Sequence, residues 1–222
     1  YQVGPYVQYS LGVKGVSSLI GKPVPEQDLY SRQFHIGSHV IPKVSANTMY
    51  INYAGPPQTF RTYSLASVLD DSTFDLVDGE DTDIFELHKE WDTFENKIVL
   101  VGATAEELQD NKYTPFFHYE GKKQKMPGVE MHANAISTIL TDRYLRDIHW
   151  GGLLIFVIVG TLAITWLTLS LRPFKALGLL LLMILGYMIM AYMLFSLSSL
   201  IVPVLQPNIS VMFAFVTASL YQ

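Results

Sequence analysis

From Gly151 to Gln222 the chain runs for 72 residues with only two charged side chains, Arg172 and Lys175, whereas the first 150 residues carry the other 33 of its 35 charges. A charge at the centre of a bilayer costs about 2.5–3.5 kcal/mol on insertion scales, so a charge-free stretch of this length marks a segment that folds in lipid. The chain therefore divides into a water-soluble region, residues 1–148, and a membrane module, residues 149–222.

Helix geometry sets the number of crossings. Residues 151–171 are 21 uncharged residues, about 31 Å as a helix, which matches a hydrocarbon core of about 30 Å. Residues 176–222 are 47 residues without Asp, Glu, Lys or Arg, about 70 Å as one helix, which is too long for one crossing and right for two. Ser196, Ser198, Ser199, Pro203 and Pro207 place the turn between them, because proline removes a backbone donor and disfavours helix in the residue before it. Three spans are expected at about 151–171, 176–196 and 201–222, with the soluble region and the C-terminus on opposite faces. Arg172 and Lys175 lie in the short connection with no acidic neighbour; basic short loops stay cytoplasmic, which puts the soluble region outside and the C-terminus inside. Arg143 and Arg146 pull the other way. Trp150, at the start of the first span, reads either as an interfacial anchor or as an ordinary buried Trp. The expected location is the inner membrane, multi-pass, with the lipid bilayer as the first partner.

The soluble region carries 13 basic against 20 acidic residues. That balance argues against nucleic acid or anionic lipid headgroups as partners, since both require clustered cations. There is no cysteine, which excludes disulfides, Cys–zinc sites and thiol nucleophiles. Acids crowd residues 69–86, but the ordered Asp-x-Asp-x-Asp-Gly spacing of a calcium loop is missing, and the segment reads as a solvated surface.

Periodicity places the elements. Val7, Leu11, Val16 and Leu19 give residues 6–20 a helical rhythm, Met49–Tyr53 is a short β-type run closed by Ala54-Gly55-Pro56-Pro57, and Tyr63–Leu69 reads as a short helix with a start signal at Ser64–Ser67. Ile98-Val99-Leu100-Val101, ending in Gly102, has the pattern of a strand buried on both faces. Met126-Pro127-Gly128-Val129-Glu130 leads into an amphipathic helix whose face is expected to be Val129, His132, Ala133, Ile136 and Leu140. Strand, loop and helix together predict an α/β layered soluble domain, partial, followed by an all-α three-helix transmembrane module.

The order Ile98–Ala105, then Leu108, Asp110 and Thr114-Pro115, then Met126–Ile136, resembles the type-2 CHASE domain. Ile51–Pro56 and Phe60–Leu69 upstream, and three apolar spans downstream, fit the same family over residues 45–222 and, more faintly, 1–44. The resemblance implies the input end of a bacterial membrane receptor: a membrane anchor, the domain outside, three helices, then a cytoplasmic cyclase or kinase. Against that plan the anchor, roughly the first half of the domain and the output domain are expected to lie outside residues 1–222, the missing half coming from upstream residues or another chain. Glu107 and Gln109 stand where the family often has glycines. The family implies no specific ligand residues and no cofactor.

Candidate ligand-binding residues are Thr104, Asp110, Thr114, His132 and Asn134. Asp110 with Thr114 could bind a ligand at a strand's carboxyl end or serve turn and cap hydrogen bonds. His132 with Glu130 and Asn134 reads as a polar pocket or as a satisfied core histidine. Gly102-Ala103-Thr104-Ala105 hints at phosphate cradling without the Gly-x-x-x-x-Gly-Lys run. His35 and His39 have the i, i+4 spacing of a helical metal pair, with Gly37 against the helix and no Glu beside them; no metal is expected. No catalytic constellation is present. Two functions follow: a non-catalytic sensory input module, with Thr141–Trp150 as its coupling link and a homo-oligomer or membrane complex as its assembly, or a structural accessory subunit of a larger membrane protein. Tyr187, Tyr192 and Gln206 read as contacts to pigments or partner helices, or as interfacial placement and packing.

Overall fold

A computed structural model describes residues 2–3, 6–7, 9–24, 31–45, 48–70 and 84–221. The elements in order are β1 (Gln2–Val3), β2 (Tyr6–Val7), α1 (Leu11–Ile20), β3 (Gln33–Ile36), β4 (His39–Pro42), α2 (Leu65–Leu69), α3 (Ile84–Glu90), β5 (Asn111–Lys112), β6 (His118–Tyr119), β7 (Lys122–Lys123), β8 (Met126–Pro127), α4 (Gly128–Leu140), β9 (Arg146–Asp147), α5 (Trp150–Ser170), α6 (Pro173–Ser198), β10 (Leu200–Ile201) and α7 (Leu205–Leu220). They form two units, residues 1–142 and 143–222.

In the first unit α1 lies against α4. Ser10 caps α1 by accepting the Val13 N–H, and Gly21 ends it at φ +68°, a left-handed conformation that costs glycine nothing. The rhythm of residues 6–20 is partly realised: Val16 is buried, whereas Leu11 and Leu19 are exposed. Gly12 and Gly15 make the contact instead, because a methyl at Gly12 would already touch Ala135 and Ile136 at 3.6–3.7 Å. Phe34, Ile36 and Ile41 of the antiparallel β3–β4 hairpin, with Met126, Ile136 and Ile139, complete the buried apolar set. Ser64 caps α2 as its position predicts, accepting the Ala66 N–H at 3.2 Å. Most of the acidic run lies outside the described residues.

The domain mixes helix and sheet, but among the described residues every ladder is two-stranded. No ladder contains Ile98–Val101, and the two-faced burial expected there is not seen. Ile98 and Leu100 are half-buried, while Val99 is 52% and Val101 77% exposed. The segment is fastened on one side only, where Gly102 meets Val129 so closely that a Cβ would fall 2.6 Å from the Val129 Cβ. Met49–Tyr53 likewise forms no strand; the Asn52 N–H and carbonyl are instead bonded to the Thr138 hydroxyl of α4.

In the second unit α5 and α6 are each long and apolar enough to cross a membrane, and α7 is a shorter apolar helix of 16 residues. The Leu171–Arg172 connection is tighter than expected, since α6 begins at Pro173, whose fixed φ suits a first helical turn. The third span is corrected more deeply: residues 200–204 are not helical, β10 occupying the first two and Pro203 following. Ser199 closes α6 at φ +54°. Gly160, Ile164 and Thr168 at i, i+4 and i+8 form the buried stripe of α5. Ile164 meets Leu180 of α6 and Val211 of α7 at the centre. Gly160 admits α7, with Val211 3.4 Å from where a Cβ would stand; small residues at such crossings let helix backbones approach in lipid. The Thr168 hydroxyl donates to the Ile164 carbonyl at 2.7 Å and so satisfies its own polar atom in an apolar interior.

Candidate functional site

Two constructions stand out, one on α4 and one at the end of the helical bundle. Along α4, Glu130, Asn134 and Thr138 repeat every four residues and so lie on one helical face. That face takes the place of a neighbouring strand. The Ala54 N–H donates to Asn134 Oδ1 at 2.9 Å, the Asn52 N–H to Thr138 Oγ1 at 3.1 Å, and the Thr59 N–H to Glu130 Oε1 at 3.1 Å. Asn134 is wholly buried, and its amide donates to the Glu130 carbonyl at 2.9 Å and to Met126 Sδ at 3.5 Å. The three side chains clamp residues 52–59, which bend and turn at residues 55–58, to the helix. Burial also raises the pKa of Tyr53 above its ordinary value by desolvating the phenolate.

The five candidate ligand residues do not gather into one pocket around α4. Asn134 is committed to the clamp. His132 is exposed, neither in a polar pocket nor in the core, because the buried face of α4 is Gly128, Asn134, Ile136, Thr138 and Ile139. An apolar count misplaces that face, since two of its members bury polar atoms that the clamp satisfies. Asp110 sits at the start of α4: the Gly128 N–H donates to its carbonyl at 2.7 Å. Its carboxyl group occupies the space a side chain at 128 would need, with Asp110 Cγ 2.6 Å from the Cβ position. A carboxylate beside a helix N-terminus is electrostatically favourable, and Pro127, the residue before the helix, offers no side-chain cap. Asp110 also pairs with Lys112 at 3.5 Å. Thr114 is buried, its hydroxyl without a partner among the described residues. Thr104 is exposed. His35 and His39 lie on the two strands of a hairpin rather than on a helix. His39 Nδ1 stands 3.0 Å from both carboxylate oxygens of Asp142, tying the hairpin to the residue at which the first unit ends. Among the described residues no group of three His, Asp or Glu could hold a metal.

The second construction follows α4 in the chain. The Arg146 N–H donates to the Ser199 carbonyl and the Ile148 N–H to the Ile201 carbonyl, each at 3.1 Å, so β9 and β10 pair in parallel. The link entering α5 is thereby bonded to the connection between α6 and α7. Tyr187 reinforces the joint from α6: its hydroxyl donates to the Pro203 carbonyl at 2.6 Å and its ring stacks on Phe156 of α5 at 4.7 Å. Tyr187 is thus a packing and hydrogen-bonding residue within the bundle. Beside it an apolar cavity of about 290 Å³ is lined by residues that include Met188, Tyr192, Phe195 and Val202. A sequence reading had no local signal for the ladder, whose strands are two residues long and more than 50 apart in the chain.

No curated protein and no solved structure matches the chain. The model of the CHASE2 domain family does, over residues 5–171: it takes in nearly all of the fainter stretch before residue 45 and ends just past α5, so it does not reach residues 172–222, over which the resemblance is also expected. Spanning three quarters of the sequence, the match shows that this chain belongs to the CHASE2 family of extracytoplasmic sensory domains of signalling receptors.

Proposed function

We propose that the chain is the extracytoplasmic input and anchoring module of a receptor, crossing the inner membrane three times and passing a signal to a cytoplasmic cyclase or kinase. The observation that supports it best is the β9–β10 ladder. A link that only preceded α5 could push one helix; a link hydrogen-bonded to Ser199 and Ile201 acts on α5 and on the α6–α7 connection together. The ladder also puts the α6–α7 connection at the end of the bundle where α5 begins, as three crossings require, leaving Arg172 and the end of α7 at the other end. Cations alone do not orient the bundle, since Arg143 and Arg146 balance Arg172 and Lys175; the extracytoplasmic character of the family favours residues 1–148 outside and the C-terminus inside. Coupling of this kind needs two states that a stimulus distinguishes.

The test fuses a dimerisation-dependent cyclase catalytic domain after Gln222 and compares output from the natural sequence, from a Gly-Ser insertion after Asp142, and from Ile148→Pro, which deletes the N–H that reaches Ile201. Coupling predicts a several-fold change of output in both variants at equal membrane levels. Equal output from all three would refute it. A second reading, an accessory subunit of a larger membrane assembly, draws on the exposed Val99 and Val101 face, which another protein would cover; it predicts a fusion whose output ignores both variants.

A further inference from the structure

Residues 111–127 form a two-storey hairpin, of which the constructions above use only Met126 at its base. At its base β5 pairs with β8, and at its tip β6 pairs with β7. Glu120 and Gly121 both take positive φ, +48° and +77°, the turn that matches the twist of the flanking strands. The hairpin holds Lys112, Lys122, Lys123 and Lys125, four of the 13 cations of the soluble region, against one carboxylate, Glu120. Lys112 faces Asp110. Lys125 lies over the Tyr113 ring at 4.9 Å, and Lys122 and Lys123 are exposed. Aromatic rings fill the spaces between them: Tyr113 packs edge-on against Phe117 at 4.7 Å and Phe116 against Tyr119 at 5.7 Å. Tyr113 remains 68% and Tyr119 42% exposed.

We propose that this hairpin docks on the anionic headgroup surface of the bilayer that anchors the chain. The inference rests on the membrane reading above and adds a second point of attachment to it. Lysines flanked by exposed tyrosine and phenylalanine are the side chains that partition to a water–lipid boundary, the cations toward anionic headgroups and the rings into the interface. The average charge of the soluble region hid this cluster. Outside the hairpin that region has 9 basic and 19 acidic residues, so a long polyanion following its surface would be repelled, whereas a planar membrane can be touched by the hairpin alone. Connectivity makes the encounter frequent. The hairpin runs directly into α4, about 20 Å long, and then into a nine-residue link that spans at most about 31 Å, so it stays within roughly 50 Å of the bilayer whatever the orientation of the domain.

The chain has no cysteine, so Gln124→Cys gives a single labelling site at the exposed tip for an environment-sensitive fluorophore. The full chain is reconstituted with its domain outward in vesicles of phosphatidylcholine alone or mixed with phosphatidylglycerol. Docking predicts a blue-shifted emission, quenched by spin-labelled lipid, in the anionic vesicles only. Each lysine is worth about fivefold in the docked-to-free ratio, so Lys122→Gln, Lys123→Gln and Lys125→Gln together should lower it about a hundredfold, while Arg at the same three positions retains it. For the natural lysines, raising salt from 0.1 to 1 M shortens the screening length from about 10 to about 3 Å and should release the hairpin without any substitution. A probe exposed to water in both lipids overturns the proposal, as does one shielded in both, which would mean that protein rather than lipid covers the tip. Failure of the chain to float with the vesicles would instead overturn the membrane reading itself.

Discussion

Replacing Asn134 by leucine tests the α4 clamp by the sign of its effect. If α4 were an ordinary amphipathic helix, leucine at a wholly buried position would stabilise it, through burial and through a helix propensity better by about 0.5 kcal/mol. The structure reverses that expectation, because Asn134 Oδ1 is the acceptor for the Ala54 N–H. Stranding that N–H costs about 1–3 kcal/mol; with the extra apolar burial offset by overpacking at a site shaped to an amide, the propensity gain leaves a net loss of roughly 0.5–2.5 kcal/mol. In hydrogen exchange the amides of residues 52–59 should then lose roughly 2- to 60-fold in protection, with peptides from α5 as the unaffected internal control. Glu130→Gln keeps an acceptor for Thr59 and should change little. Thr138→Val removes the acceptor for Asn52 and should fall between the two, near 1–2 kcal/mol. Protection that is unchanged or raised in Asn134→Leu would refute the clamp.

Other substitutions probe the remaining contacts. Gly128→Ala should destabilise the domain by about 1–3 kcal/mol, because its methyl meets the Asp110 carboxyl, and adding Asp110→Gly should recover part of that loss in a thermal melt. Tyr187→Phe strands the Pro203 carbonyl and should weaken the bundle by about 0.6–1.7 kcal/mol, measurable by unfolding in bicelles. The Tyr53 pKa is raised by burial, so its neutral form is the one the fold accommodates. That contribution is intact below the unfolded value near 10 and is lost as pH climbs through the higher folded value. An alkaline titration of domain stability should therefore flatten in Tyr53→Phe, and an unaltered alkaline slope would contradict the assignment.

How much could be read in advance depended on the range of the interaction. The helix start at Ser64 and the apolar spans expected near 151–171 and 176–196 follow from residues within a turn or two of each other, or from transfer energies that add along the chain. The buried face of α4 did not, since choosing it by hydrophobicity selects His132 and passes over Asn134 and Thr138. Those two become interior only because Asn52 and Ala54, 86 and 80 residues away, bring backbone groups that need partners.

From sequence alone came the division near residue 150, the CHASE2 resemblance and the apolar helices, because solvent preference is a property of each side chain wherever it folds. Tertiary structure decided what those pieces touch: Ile98–Val101 is laid down on one side instead of being buried on two, Asp110 fills the space before Gly128, and Arg146 pairs with Leu200 across the bundle end. Each is a hydrogen bond or a contact between segments distant in the chain. The energy of such a contact depends on geometry that no local pattern encodes.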